Sequence, residues 1–183
     1  MSDYNIIRRQ CQKGYRRAQL EFYMLFYKSV YNCCFRILGN PQESEEVMQE
    51  TFLKVLDKID EYTGDADSMK RILKRIAINR SIDICRKRKI RFIELNEGVE
   101  YTDEPEEEEH IEMQLEAIHK MMQLLPQGYR MILNLHLIEN LDYADIAVQL
   151  QISPSTVRSQ YIRAKQKLVQ LIKEHYPHEQ FIG

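Results

Sequence analysis

The sequence predicts an all-α protein of two small helical domains joined by a flexible acidic linker. Three observations carry this reading. Apolar residues recur at three- and four-residue steps over long stretches, and turn formers are scarce, with 6 Gly and 5 Pro in 183 residues. Start and stop signals for helices stand at the ends of those periodic stretches. Charge is segregated: residues 71–91 hold nine Lys/Arg against one acid, Asp83, whereas 94–116 hold eleven Asp/Glu and no Lys/Arg. The formal net charge of −2 conceals this division, and an acid-rich stretch of low hydrophobicity between two periodic regions is the pattern of a flexible tether. The domains fall at 1–91 and 111–183, with the linker at 92–110.

The first periodic stretch runs over 5–38, with Leu20, Tyr23, Tyr27, Val30, Tyr31, Cys34 and Leu38 expected on its buried face. Gly14 divides it into a short lead-in and a long helix, and Gly39-Asn40-Pro41 ends it. In QESEEVMQETFLKVLDKIDEY, the buried face is Val47, Met48, Thr51, Phe52, Val55, Leu56 and Ile59. The other side carries Glu46, Gln49, Glu50 and Asp57, with Leu53 among them. A lone exposed Leu needs no explanation, but one ringed by acid and amide groups on a rigid helix has the form of an interface anchor.

A loop at 62–68 follows, with Ser68 as the expected cap of a helix reaching about residue 89. Met69, Ile72, Leu73, Ile76 and Ala77 face inward, which leaves Arg71, Lys74, Arg75, Arg80, Arg86 and Lys87 outside with Asn79 among them. So dense a positive face repels itself unless a polyanion is near, which points to nucleic acid. The acidic stretch beyond it reads as a linker, or as a polyanion docking on a basic face. The second domain opens with a helix over 111–125 (Met113, Ile118, Met121, Met122 and Leu125 inward), a break at Pro126, and a helix to about residue 138.

LDYADIAVQLQISPSTVRSQYIRAKQKL, residues 141–168, reads as two short helices with a tight turn. Asp142 caps the first, and Ser153 with Pro154 starts the second. Val157, Tyr161, Ala164 and Leu168 form the buried stripe, leaving Ser155, Thr156, Arg158, Ser159 and Arg163 outside. Residues 151–173 hold five Lys/Arg and no acid. Hydroxyls and guanidinium groups on a helix-turn-helix read base edges and phosphates in a major groove; the plain alternative is a solvated helical hairpin. Gln151 stands in the turn, where a non-glycine residue at positive φ costs about 1 kcal/mol.

No run of about 18 apolar residues is present, and residues 1–10 carry no apolar signal-peptide core, so no membrane insertion is expected. Cys11, Cys33, Cys34 and Cys85 show neither C-x-x-C spacing nor a nearby histidine pattern. They read as reduced core thiols of a cytoplasmic protein, with no metal and no cofactor. No catalytic residue is assigned, because the acids cluster in the linker instead of on a rigid scaffold.

Taken together, the motifs resemble the bacterial RNA polymerase sigma factors of the small two-domain, extracytoplasmic-function type, over roughly residues 18–168. EEVMQETFLKVLDKI is similar to that family's polymerase-core-binding helix, RILKRIAINRSIDICRKRK to its segment engaging the promoter −10 element, and the stretch from LPQGYRMILNLHLIENL through the helix-turn-helix to its −35-binding domain. The resemblance implies core-polymerase contacts at Glu46, Gln49, Glu50 and Leu53, with Phe52 packing. It implies −10 contacts at Arg71, Lys74, Arg75, Asn79 and Arg80, and −35 contacts at Ser155, Thr156, Arg158, Ser159 and Arg163. Asn79, Asp83 and Arg86 match the family's N-x-x-x-D-x-x-R pattern, a spacing that also suits an intrahelical Asp83–Arg86 ion pair. The implied partners are core RNA polymerase, promoter DNA (duplex at −35, partly melted at −10) and an anti-sigma factor. Met69, Ile72 and Leu56 stand where the family often has aromatics, and Gln151 and Ser155 where glycine is common. The alternative is a conventional helix-turn-helix regulator that acts without docking on core polymerase.

Overall fold

The computed structural model describes residues 3–88, 110–111, 115–176 and 181–182. The chain divides into two compact units, Met1–Lys89 and Ile90–Gly183. Its described residues are all-α apart from one two-residue ladder.

The first unit comprises α1 (Tyr4–Gln12), α2 (Arg16–Leu38), α3 (Pro41–Asp57), a 3-10 turn (Ile59–Glu61) and α4 (Ala66–Lys87). Gly14, at φ 76°, separates α1 from α2. Gly39, at φ 68°, ends α2 with its N–H donating to the Phe35 carbonyl at 2.8 Å. Asn40 then caps α3, its side-chain oxygen accepting from the Glu43 N–H at 3.1 Å, and Pro41 occupies the first turn, where no N–H is needed.

Helix α2 packs on α1, α3 and α4. Its buried spine is Phe22, Phe26, Val30, Cys33, Cys34 and Ile37. The expected stripe is displaced: Val30, Cys34 and Leu38 are buried, but Leu20 is 61% exposed, and Tyr23, Tyr27 and Tyr31 are half-buried. A tyrosine hydroxyl keeps its ring at an edge where the oxygen is wet, so the fully apolar phenylalanines take the centre. Phe22 meets Phe26 at 5.2 Å and Phe52 at 6.1 Å, both edge-on, a geometry that contributes about 0.5–1.5 kcal/mol per pair beyond burial.

Helix α4 also departs from expectation. Its cap is Asp65, not Ser68: the Asp65 carboxylate accepts from the Ser68 N–H at 2.8 Å. That bond leaves Ser68 in the first turn, where its hydroxyl accepts from the Arg71 guanidinium at 3.0 Å. Met69, Leu73 and Ala77 are buried as expected, whereas Ile72 and Ile76 are only half-buried, because the inward face swings on through Ile78, Ser81, Ile82 and Cys85. All four cysteines are buried and none is in a disulfide.

The second unit comprises α5 (Leu115–Leu124), α6 (Gln127–Leu133) continuing into a π-helical turn (Asn134–Ile138), α7 (Tyr143–Leu150) and α8 (Pro154–His175). The helix expected from residue 111 starts at Leu115. Residues His110–Ile111 instead form β1, antiparallel to β2 (Phe181–Ile182), with His110 opposite Ile182; an extended ladder there competes with helix for the same backbone groups. Met122, Leu125, Leu133 and Ala164 form one buried hydrophobic cluster of this unit, with Ile118, Tyr129, Ile138, Tyr161 and Leu168 packed against it. Arg130 is buried and donates to the carbonyls of Gln123 at 3.1 Å and Leu125 at 3.5 Å. A cation there satisfies acceptors left open at the end of α5. Of the expected linker, 92–109 lie outside the described residues, as do Lys89, Arg91 and Met113.

Candidate nucleic-acid interface

In the second unit, α7 and α8 form the helix-turn-helix. The Asp142 carboxylate accepts from the Asp145 N–H at 2.7 Å and caps α7. Gln151 takes the left-handed conformation, φ 57°, while the Ile152 N–H donates back to the Ala147 carbonyl at 3.1 Å. The turn therefore closes in the glycine-favoured geometry despite its side chain. Ser153 caps α8, its hydroxyl accepting from the Thr156 N–H at 3.0 Å.

The predicted outer face of α8 is graded. Ser155 and Arg158 are exposed, while Thr156, Ser159 and Arg163 are half-buried. The hydroxyls of Ser155 and Thr156 lie 2.8 and 2.7 Å from the Ser153 hydroxyl, and Ser159 donates to the Thr156 carbonyl at 3.0 Å. The local network at the helix start thus engages each of these hydroxyls, and Arg158 is the more exposed of the two arginines on this face. Val157 and Ala164 are buried as expected; Tyr161 and Leu168 are half-buried, and Gln160, at 1% exposure, takes a place in the core.

One positioning residue gave no sequence signal. The His136 Nδ1 lies 2.8 Å from the Leu141 carbonyl, and since a carbonyl only accepts, that nitrogen carries the proton. The ring lies 4.6 Å from Tyr143 at the start of α7 and 4.8 Å from Tyr161 in α8. His136 therefore ties the π turn to both helices of the motif. Burial pushes the Tyr143 hydroxyl above its ordinary pKa; Tyr161 adds to the rise, and the nearby Arg158 cation opposes it.

In the first unit, Glu46, Gln49, Glu50 and Leu53 are all exposed on α3 at i, i+3, i+4 and i+7, one continuous stripe. Leu53 is 69% exposed, whereas the adjacent Phe52 is buried with its ring 4.9 Å from Tyr23. Glu46 accepts from the Gln42 amide at 3.3 Å. Glu50 is engaged by another helix: its carboxylate accepts from the Arg80 Nε at 2.8 Å. The Glu50 carboxylate holds the Arg80 guanidinium above its ordinary pKa.

That pair revises the basic face of α4. Arg71, Arg75 and Asn79 are exposed at successive four-residue steps and form one row. Lys74 is half-buried on a flank, and Arg80 pairs with α3. Arg86 pairs with Asp83, as its spacing allowed, and Arg88 pairs with Glu43. Arg80, Arg86 and Arg88, which the sequence count included among the cations of this face, thus have acidic partners among the described residues. Lys70, exposed at the start of α4, is a cation the sequence reading passed over. Ahead of it the 62–68 loop is held firmly. The Arg8 guanidinium donates to the Tyr62 carbonyl at 2.6 Å, and hydrogen bonds from the Ser68 hydroxyl and N–H hold the Asp65 carboxyl below its ordinary pKa.

Residues 22–90 match the family model of sigma-70 region 2, and residues 115–168 match that of sigma-70, region 4. The two matches together span more than half of the chain. The chain belongs to the sigma-70 family of sigma factors, in its extracytoplasmic-function (ECF) type. It is 28% identical over 170 residues to the RNA polymerase sigma-H factor of Pseudomonas aeruginosa, covering 86% of this chain and 87% of that protein. It is 26% identical over 178 residues to the ECF RNA polymerase sigma factor SigW of Bacillus subtilis, covering 91% and 95%. Its fold is similar to that of the sigma factor RpoE from Bartonella quintana, solved in complex with the anti-sigma factor NepR, at a TM-score of 0.50 and 20% identity over 82% of this chain and 94% of that one. The sigma factor is a transcription initiation factor that directs RNA polymerase to promoters, and no helix among its described residues is long and apolar enough to cross a membrane.

Proposed function

We propose that this sigma factor acts by recruitment, without chemistry of its own, through three faces. The α3 stripe of Glu46, Gln49, Glu50 and Leu53 docks on core RNA polymerase. The α4 row of Arg71, Arg75 and Asn79, flanked by Lys74 and Arg80, engages the partly melted −10 element. The α8 face of Ser155, Thr156, Arg158, Ser159 and Arg163 reads the −35 duplex. The observation that carries this reading is Leu53, a large apolar side chain 69% exposed beside Gln49 and Glu50 on a helix whose other face is core.

Neither DNA face need bind tightly alone. Polymerase holds both units on one promoter, so each contact raises the effective concentration of the other. Domains at 1–91 and 111–183, tethered by 92–110, suit such bivalent use. A cytoplasmic location and regulation by an anti-sigma factor that covers the α3 stripe or the recognition helix complete the reading. The test is gel filtration of the full chain with core RNA polymerase, followed by DNA binding with and without polymerase. A sigma factor acting in this way co-elutes with core and gains promoter selectivity from it. Selective DNA binding by the chain alone, with no co-elution, would establish the conventional helix-turn-helix regulator instead.

A further inference from the structure

Helix α1 supplies none of the three faces, yet its Arg8 holds the loop that leads into the basic row of α4. We propose that α1 braces this row for DNA, with Arg8 a positioning residue that acts on the −10 element through the 62–68 loop, Ser68 and Arg71. The inference rests on the functional reading above and adds to it a residue 54 positions ahead of the carbonyl it holds.

The links from α1 to α4 are short and continuous. The Arg8 guanidinium donates to the Tyr62 carbonyl at 2.6 Å in a half-buried position, and α1 packs against the 3-10 turn just ahead of that carbonyl. Tyr4, one turn earlier on α1, lies within electrostatic reach of both Arg8 and Asp65. Its ring meets Phe26 edge-on at 6.1 Å, which ties α1 to the α2 spine. At the far end of the loop Gly64 runs against Ser68: at φ 112°, a Cβ on Gly64 would come within 2.9 Å of the Ser68 Cβ. Loop and first turn of α4 are thus packed as one piece. The Ser68 hydroxyl then bridges two charges, donating to the Asp65 carboxylate and accepting from the Arg71 guanidinium at 3.0 Å. Arg71 is exposed and opens the row that Arg75 and Asn79 continue.

What the brace supplies is order before binding. An exposed arginine surrenders rotamer freedom when it engages a phosphate, at a cost of about two- to tenfold in affinity. Ser68 holds the Arg71 head in place beforehand, so part of that cost falls on folding instead of binding. The hold is only as firm as the position of Ser68 itself, which the loop sets. A hydrogen bond from a charged donor is worth about tenfold or more in an equilibrium constant, enough for Arg8 to keep the loop in one arrangement.

The experiment measures the affinity of holoenzyme, assembled from the full chain and core polymerase, for a fluorescent DNA fork that carries the −10 element. Arg71→Ala is expected to weaken binding and to flatten the slope of log K against log salt by about 0.9, one phosphate contact. Arg8→Met and Ser68→Ala are each expected to weaken fork binding by about two- to tenfold, at unchanged affinity for core polymerase. Arg8→Lys keeps a donor for the Tyr62 carbonyl and is expected to lose less. The decisive readout is coupling: in an Arg71→Ala background, Arg8→Met and Ser68→Ala are expected to have no further effect, because residues that act through one another are not additive. Losses that multiply with that of Arg71→Ala, or wild-type fork binding by Arg8→Met, overturn the brace while leaving the α4 assignment intact. Should Arg8→Met fail to fold, Arg8→Lys and Ser68→Ala in the two backgrounds carry the same test. Wild-type fork binding by Arg71→Ala overturns the assignment of Arg71 to DNA, and the brace with it.

Discussion

Helices α4 and α8 are both proposed to engage DNA, yet they are built on different electrostatic plans. Residues 151–173 hold five Lys/Arg and no acid, and the start of α8 is organised by neighbours in sequence: Ser153, Ser155, Thr156 and Ser159. Helix α4 lies beside the acid-bearing α3, and Glu43 and Glu50 reach across to Arg88 and Arg80. The difference teaches that charge counted along a sequence is an upper bound on the charge a folded face presents. It is a loose bound for α4, where Glu43 and Glu50 engage Arg88 and Arg80.

The contrast is open to attack at several points. The largest effect is expected at α8, whose exposed guanidinium has the form of a base reader. Arg158→Ala is expected to cost about 1–3 kcal/mol of discrimination between a preferred and a mismatched −35 sequence, measured by competition binding of holoenzyme. In α4, Arg75→Ala is expected to weaken binding alike on all sequences, because the role proposed for it is a phosphate contact. Sequence selectivity lost at Arg75 and kept at Arg158 would reverse the comparison.

The caps offer a second, smaller contrast. Ser153→Ala at α8 is expected to destabilise by about 1 kcal/mol in urea unfolding at neutral pH, and Asp65→Ala at α4 is expected to destabilise in the same direction. Their pH dependence differs. Hydrogen bonds hold the folded Asp65 carboxyl below its ordinary value of 3.8, so its stabilisation is fully present above that value and fades as pH falls through the lower folded value. The Ser153 cap does not titrate. The penalty of Asp65→Ala should therefore shrink in acid while that of Ser153→Ala persists, and equal shrinkage would mean that the Asp65 charge is irrelevant to the cap.

The smallest effect is at the turn. Gln151 sits at φ 57°, and Gln151→Gly is expected to stabilise the protein by up to about 1 kcal/mol, less the greater entropy glycine has in the unfolded chain. A loss of stability would show that the Gln151 side chain contributes a contact outweighing its backbone cost.

What was legible in the sequence was local. Gly39, Asn40 and Pro41 announced the α2–α3 corner, Asp142 and Ser153 announced the helix-turn-helix, and the unusual backbone of Gln151 was visible from its place between two helix signals. What escaped depends on neighbours distant in the chain. The choice of Phe22 and Phe26 over Leu20 for the α2 spine is made by three helices packing on it at once. The partnership of Glu50 with Arg80 requires α3 and α4 to lie side by side. The His136, Tyr143 and Tyr161 cluster needs the π turn to bring a histidine against two helices. The α3 stripe was the intermediate case: its periodicity placed Leu53 outside correctly, while nothing local to the sequence indicated that Arg80 engages Glu50.

Leu53 also provides the most direct test of the account, because it neighbours the buried Phe52 and yet has no part in the core. The measurement is affinity for core RNA polymerase, with thermal unfolding followed on the same samples, for wild type and Leu53→Asp. Loss of at least about 2 kcal/mol of binding, the mark of an interface anchor, at an unchanged melting temperature is the result the account predicts. Undiminished polymerase binding by a folded Leu53→Asp protein would contradict it.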